Sequence, residues 1–229
     1  MLPLKIENLA VTFPGLAAPV LAIDHLEIAA GSHVALTGGS GSGKSTLINI
    51  IAGLERIRTG NVFWGEQNLA ELSEGRRDQW RAANVGLVMQ DFHLFPGLSA
   101  LDNILLPARL SRVANNDLVK RAHMLFETVG LKRPEQNVET MSRGEMQRVA
   151  IARALLRKPG VIIADEPTAS LDLESGDAVG DLLLAIAADS GSTLIVASHD
   201  LRLVERLERR LLLKSGRIIG DVPAGEIAA

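Results

Sequence analysis

The chain has 229 residues, 47% hydrophobic but only 3% aromatic, with no cysteine and no tyrosine. That length supports one substantial core with room for an inserted lobe, and without cysteine neither disulfides nor thiolate zinc sites can form. A net charge of -3, the absence of a long basic run and five histidines without ligand spacing argue against nucleic acid as a partner and against a histidine metal centre.

In chain order, Met1 to Glu7 has neither the charged start nor the apolar stretch of a secretion signal, and no apolar run nears the ~20 residues of a membrane span. A soluble, non-exported chain is expected. Leu4 and Ile6, then Leu9, Val11 and Phe13, predict an extended segment whose inward face changes parity near Asn8, the signature of a bulge. Leu21 to Ile28 reads as a second strand, and Gly31 turns the chain into a third, His33 to Thr37. The next residues, Gly38, Gly39, Ser40, Gly41, Ser42, Gly43, Lys44, Ser45 and Thr46, fit the phosphate-binding pattern of glycine, four variable positions, glycine, lysine and a hydroxyl residue. Strand before and helix after, the latter through Leu47 to Ala52, are the context that pattern requires. Loop amides and the positive end of the helix dipole receive phosphates, Lys44 adds a full charge, and Ser45 can coordinate magnesium. A flexible glycine-serine turn is the competing reading.

Thr59-Gly60 marks a turn before a short strand, Asn61 to Trp64, and Ser73 to Ala82 has helical composition. Val85 to Met89 returns to a strand. From Asp91 to about Thr140 the character changes, with three prolines and loop residues around an amphipathic stretch from Asp117 to Val129, so an inserted helical lobe is expected there. A helix follows from Ser142, then the strand Val161 to Ala164, a long helix through Leu182 to Ala188, and the strand Thr193 to Ala197. Arg210 to Lys214 and Arg217 to Ile219, split by Ser215-Gly216, read as a hairpin. The alternation predicts an α/β fold of the phosphate-loop NTPase type, with a largely parallel core sheet.

Asp165 and Glu166 stand at the carboxyl end of a buried strand, where open α/β sheets bind ligands. Asp165 suits the acceptor that holds magnesium, and Glu166 a base for an attacking water. A solvated strand end capping the next helix is the plainer alternative.

The segment Met141-Ser-Arg-Gly-Glu-Met-Gln-Arg-Val-Ala-Ile-Ala-Arg-Ala154 resembles the signature of ATP-binding cassette ATPases, Leu-Ser-Gly-Gly-Gln followed by a helix. The chain resembles that family from Leu4 to Gly220. Gln90 looks like its glutamine loop, Asp165 to Asp172 like its magnesium motif and aspartate loop, and Ser198-His199-Asp200 like its switch histidine. The resemblance implies ATP and magnesium as cofactors, with Gln90, Glu166 and His199 catalytic and Ser45, Gln90 and Asp165 around the metal. Phe13 would stack on adenine, its alternative being a core-facing strand residue. Ser142, Gly144 and Asp172 would meet the nucleotide of a second copy across a head-to-tail dimer. Met141, Arg143 and Glu145 depart from the family pattern; Arg143 would either strain the signature turn or contact a phosphate.

The resemblance further implies a single domain over 1–229, with a core and an antiparallel β subdomain in 1–90 and 141–229 and the helical subdomain in about 91–140. The stretch Gln90 to Pro107 looks like the lipoprotein-release, macrolide-efflux and cell-division branch. Such a subunit would be cytoplasmic, peripheral on the inner membrane face, and would dock an integral permease on Phe92 to Leu106, a segment that ordinary lobe packing could also explain. Small-solute import, a soluble non-transport ATPase and a nucleotide-regulated binding module are the alternatives.

Overall fold

The computed structural model describes residues 1–16 and 18–223. Its amino-terminal part is an antiparallel sheet of β1 (Leu4–Val11), β2 (Leu21–Ile28), β4 (Thr59–Trp64) and β5 (Gln67–Asn68), in the order β2-β1-β4-β5. The parity change in β1 is a bulge. Asn8 takes a φ of 50°, and the pairing with β4 shifts register between Glu7 and Ala10, so Leu4, Ile6 and Leu9 all face inward despite the odd spacing.

The second sheet has six strands. They are β3 (His33–Thr37), β6 (Val85–Val88), β7 (Val161–Asp165), β8 (Thr193–Ala197), β9 (Arg209–Lys214) and β10 (Arg217–Pro223), in the order β10-β9-β3-β8-β7-β6. All neighbours are parallel except β9 with β10, whose hairpin turns through positive φ at both Ser215 and Gly216. Helix α1 (Lys44–Ile51) lies between the two sheets, burying Leu47, Ile48, Ile50 and Ile51. Val161 and Ile163 of β7 point into that core, whereas Ile162 and Ala164 join a second core under the remaining helices. A strand covered on both faces cannot alternate with polar residues, which explains the unbroken apolar runs of β7 and β8.

Helix α2 (Glu74–Asn84) precedes β6, and the segment after β6 carries α3 (Ala100–Leu110) and α4 (Asn116–Thr128), packed on each other and on α5 (Arg143–Leu155). Helices α6 (Leu173–Ser190) and α7 (Leu201–Val204) complete the chain's helical side. The prolines around α3 make that region read as loop in the sequence. The structure adds α3 to the expected helical lobe, beside the amphipathic stretch the sequence marks: Pro107 sits inside the helix, and the buried residues Leu101, Ile104, Leu105 and Ala108 hold the face that packs inward. Proline forfeits one backbone hydrogen bond, and that burial outweighs the loss. Ser99 caps the start by accepting from Asp102 N–H at 3.1 Å.

Candidate functional site

Four adjacent parallel strands, β3, β8, β7 and β6, end on the same side of the sheet, and each delivers one part of a single cavity of about 580 Å³. After β3 comes the loop Gly38 to Thr46, all nine residues of which line the cavity; β6 leads to Gln90, β7 ends in Asp165 and Glu166, and β8 leads to His199. Asp165 is paired in register with Ala197, so the carboxylates and the histidine leave neighbouring strands side by side. Val20, which no sequence motif marks, and Ala169, within the Asp165 to Asp172 segment, complete the wall.

The phosphate loop is built for an anion. Gly43 precedes α1 with a φ of 106° and gives no side-chain cap, and the first turn of α1 carries no acid, so its amide hydrogens stay free for a ligand. Lys44 Nζ donates to the carbonyls of Gly38 and Gly39 at 2.7 and 3.3 Å, holding the loop's curvature from within. A Cβ on Gly38 would fall 2.2 Å from the Leu213 carbonyl oxygen, so only glycine lets the loop pass β9. Buried Ser42 Oγ has no hydrogen-bond partner, an orphan that a phosphate oxygen would satisfy.

Across the cavity, burial raises the Asp165 carboxyl above the usual carboxylate range and the Glu166 charge adds to that, while the Ser45 hydroxyl and Lys44 pull the other way. Among the described residues no group of three or more His, Cys, Asp or Glu side chains could hold a metal by itself. A magnesium ion held by Ser45 and Asp165 fits this arrangement when phosphate oxygens supply its remaining ligands. Glu166 has a φ of 47°, sparsely populated for a residue with a side chain, and its N–H donates to the Ala197 carbonyl at 2.8 Å. That backbone turns the carboxylate toward β8, where Oε2 lies 2.9 Å from His199 Nδ1.

Ser142, Gly144 and Asp172 lie off this cavity and form a second cluster. Ser142 caps α5 in a reciprocal box: its N–H and hydroxyl both donate to Glu145 Oε2 at 2.9 Å, and the Glu145 N–H donates back to Ser142 Oγ. The Ser142 N–H bond is the main reason the Glu145 carboxyl is held below its ordinary range. Asp172 caps α6 through Ser175, and a Cβ on Gly144 would meet Ser175 Oγ at 3.3 Å, so the starts of α5 and α6 touch. Arg143 causes no distortion of the helix start. Its guanidinium serves this chain: Nε donates to the Ser170 carbonyl at 2.9 Å, and the group lies 5.1 Å from the centre of the Phe92 ring.

Phe13 falls beyond the end of β1 and is 39% exposed, which overturns its alternative as a core-facing strand residue. It lines a neighbouring cavity of about 490 Å³ with Arg56 and Arg58. The two cavities adjoin where Val20 N–H, on the wall of the first, donates to the carbonyl of Val11, on the wall of the second, at 2.7 Å. Sequence reasoning also missed Arg153, whose guanidinium takes the carbonyls of Phe92 and His93 at 2.6 and 2.5 Å. Its signal was an arginine inside an otherwise apolar helical stretch.

The ABC transporter family model matches residues 21–169. The chain is 40% identical to the lipoprotein-releasing system ATP-binding protein LolD of Idiomarina loihiensis, over 82% of each chain. It is 43% identical to YbbA of Escherichia coli K12, an uncharacterized ABC transporter ATP-binding protein, over 84% of this chain and 85% of that one. Among solved structures, the ATP-binding cassette MJ0796, dimeric in a post-hydrolysis state with ADP and Pi, superimposes with a TM-score of 0.88 at 32% identity, covering 98% of this chain and all of the other.

Proposed function

The chain belongs to the ABC transporter family as an ATP-binding and ATP-hydrolysing subunit, and from that premise we propose that it works as a head-to-tail pair driving a membrane permease of the lipoprotein-release type. The carrying observation is the division of its nucleotide-binding groups into two places. One cavity holds the phosphate loop, Gln90, Asp165, Glu166 and His199, while Ser142, Gly144 and Asp172 stand together elsewhere on the surface. In the proposed pair, each copy brings the second group to the other's nucleotide.

ATP enters with its phosphates on the amides of Gly38 to Thr46 and its adenine toward the exposed ring of Phe13. Ser45 and Asp165, with Gln90 beside them, would hold a magnesium ion, which when bound would supply charge neutralisation on the phosphate oxygens. Glu166 takes a proton from the attacking water, and His199 holds that carboxylate while presenting its imidazole toward the terminal phosphate. The organisation that supports this is one domain, with residues of about 91–140 inserted as a helical lobe. Among the described residues no helix is long and apolar enough to cross a membrane. A groove of about 330 Å³, lined by Phe92, Leu94, Pro96, Val138 and Met146 with Phe95 exposed nearby, is the proposed seat for a cytoplasmic helix of the permease. The subunit would thereby sit on the inner membrane face. Resemblance to lipoprotein-releasing proteins favours export or mechanical work at the membrane over import of a small solute.

Glu166→Gln tests the reading. Hydrolysis should fall about 10²- to 10⁴-fold, or about 3–5 kcal/mol of barrier, with ATP affinity retained. In magnesium and ATP the variant should accumulate as a dimer by size-exclusion chromatography with light scattering, whereas the wild type should return to monomer as ATP is spent. A variant hydrolysing at the wild-type rate would remove Glu166 as the base; a slow variant that stays monomeric would overturn the shared site.

A further inference from the structure

Arg143 stands where the family pattern has glycine, at the first position of α5, and its side chain spans two segments, one following Gln90 of this chain's phosphate cavity and one leading to Asp172, which in the proposed pair meets the other copy's nucleotide. Phe92, under the guanidinium at 5.1 Å, is two residues beyond Gln90; Ser170, whose carbonyl accepts from Arg143 Nε at 2.9 Å, is two residues before Asp172. Phe92 is buried, and its backbone carbonyl is already fixed by Arg153 from the same helix, so the ring is a firm platform. A guanidinium can make both contacts at once, because the planar group lies over an aromatic ring while an N–H at its edge donates in its own plane. Glycine could make neither contact. Lysine, a point charge on a flexible stem, cannot make both with one group.

Resting on the ATPase site described above, we propose that Arg143 is a positioning residue that ties the Gln90 segment to the Asp172 loop and so sets the turnover rate without setting ATP affinity. The residue touches no wall of the phosphate cavity, which separates it from ATP binding. It does line the groove beside Phe92, so a permease helix seated there would press on the same tie.

Steady-state hydrolysis by the full chain, measured on Arg143→Ala, Arg143→Gln, Arg143→Lys, Phe92→Leu and the Arg143→Ala, Phe92→Leu double variant, tests this. Arg143→Ala and Arg143→Gln should each lower kcat about fivefold, the size expected for losing one partly desolvated cation–aromatic contact, with KM for ATP unchanged. Lysine should restore less than half of the loss. Phe92→Leu should also slow turnover, and the double variant should be no slower than Arg143→Ala, because both substitutions remove one shared interaction. Wild-type kcat in Arg143→Ala and Arg143→Gln, full rescue by lysine, losses that multiply in the double variant, or KM rising in step with the loss of kcat would each overturn the proposal. Lys44→Ala run alongside keeps the two readings apart. Hydrolysis lost there but intact in the Arg143 variants would overturn the positioning role alone, while a wild-type rate no higher than that of Lys44→Ala would overturn the ATPase site and this inference with it.

Discussion

Asp165 shows what a binding side chain costs the fold that carries it. Its folded carboxyl titrates above the unfolded value because burial penalises the charge, so the folded state binds that proton more tightly than the unfolded one. The corresponding stability is fully present below the unfolded value, about 3.9, and is lost as pH rises through the raised folded value. Above that raised value the ionised carboxylate therefore works against folding until a cation and phosphates arrive. Asp165→Asn, without nucleotide or magnesium, should unfold at the same temperature as the wild type or higher at pH 7, with a flatter profile between pH 4 and 7. It should also lose magnesium-dependent ATP binding. Thermal unfolding across that range would decide it, a clear loss of stability in Asp165→Asn at pH 7 being the contrary result.

At the scale of elements, placing Gln90 depends on how closely β6 lies against α5. A Cβ on Gly86 would meet the Ala154 carbonyl oxygen at 2.7 Å and Pro159 Cγ at 2.9 Å, and the backbone carbonyl has little freedom to withdraw. Gly86→Ala should push strand and helix apart at a cost of about 1–3 kcal/mol, lowering the unfolding temperature by about 2–12 °C for a chain of this size. Because β6 leads directly to Gln90 and α5 holds Phe92 and His93 through Arg153, turnover should fall together with stability. An unchanged unfolding temperature would mean that the seam has slack the structure does not show. Helix α3 is the complementary case. Its proline hides it from sequence reading, although Leu101, Ile104, Leu105 and Ala108 carry the helical spacing.

For the whole molecule, the phosphate loop joins the strand at the middle of the six-stranded sheet to the helix between the two sheets. A ligand on that loop is anchored to both layers, so its binding energy stabilises the cooperative unit as a whole. Saturation at about 100 times the dissociation constant should add about 2.7 kcal/mol. In a chain of this size the unfolding temperature should rise by about 5–11 °C in ATP and magnesium. Lys44→Ala should show almost none of this shift, as scanning fluorimetry with and without ATP would reveal. An equal shift in both proteins would place the stabilising nucleotide elsewhere.

Local chemistry wrote much of this protein into its sequence. The glycines and Lys44 of the phosphate loop, the strand-end pair Asp165-Glu166, and the apolar runs of β7 and β8 are legible because each needs particular residue types at fixed short spacing. Other features depend on residues far apart in sequence. The strand order that brings Gln90, Glu166 and His199 to one cavity arises from pairings that no local window contains. The same holds for Arg143, which reads as an intrusion of charge into a glycine-rich signature. Only the fold brings the Phe92 ring and the Ser170 carbonyl within its reach, because a side chain's partners are chosen by packing in three dimensions.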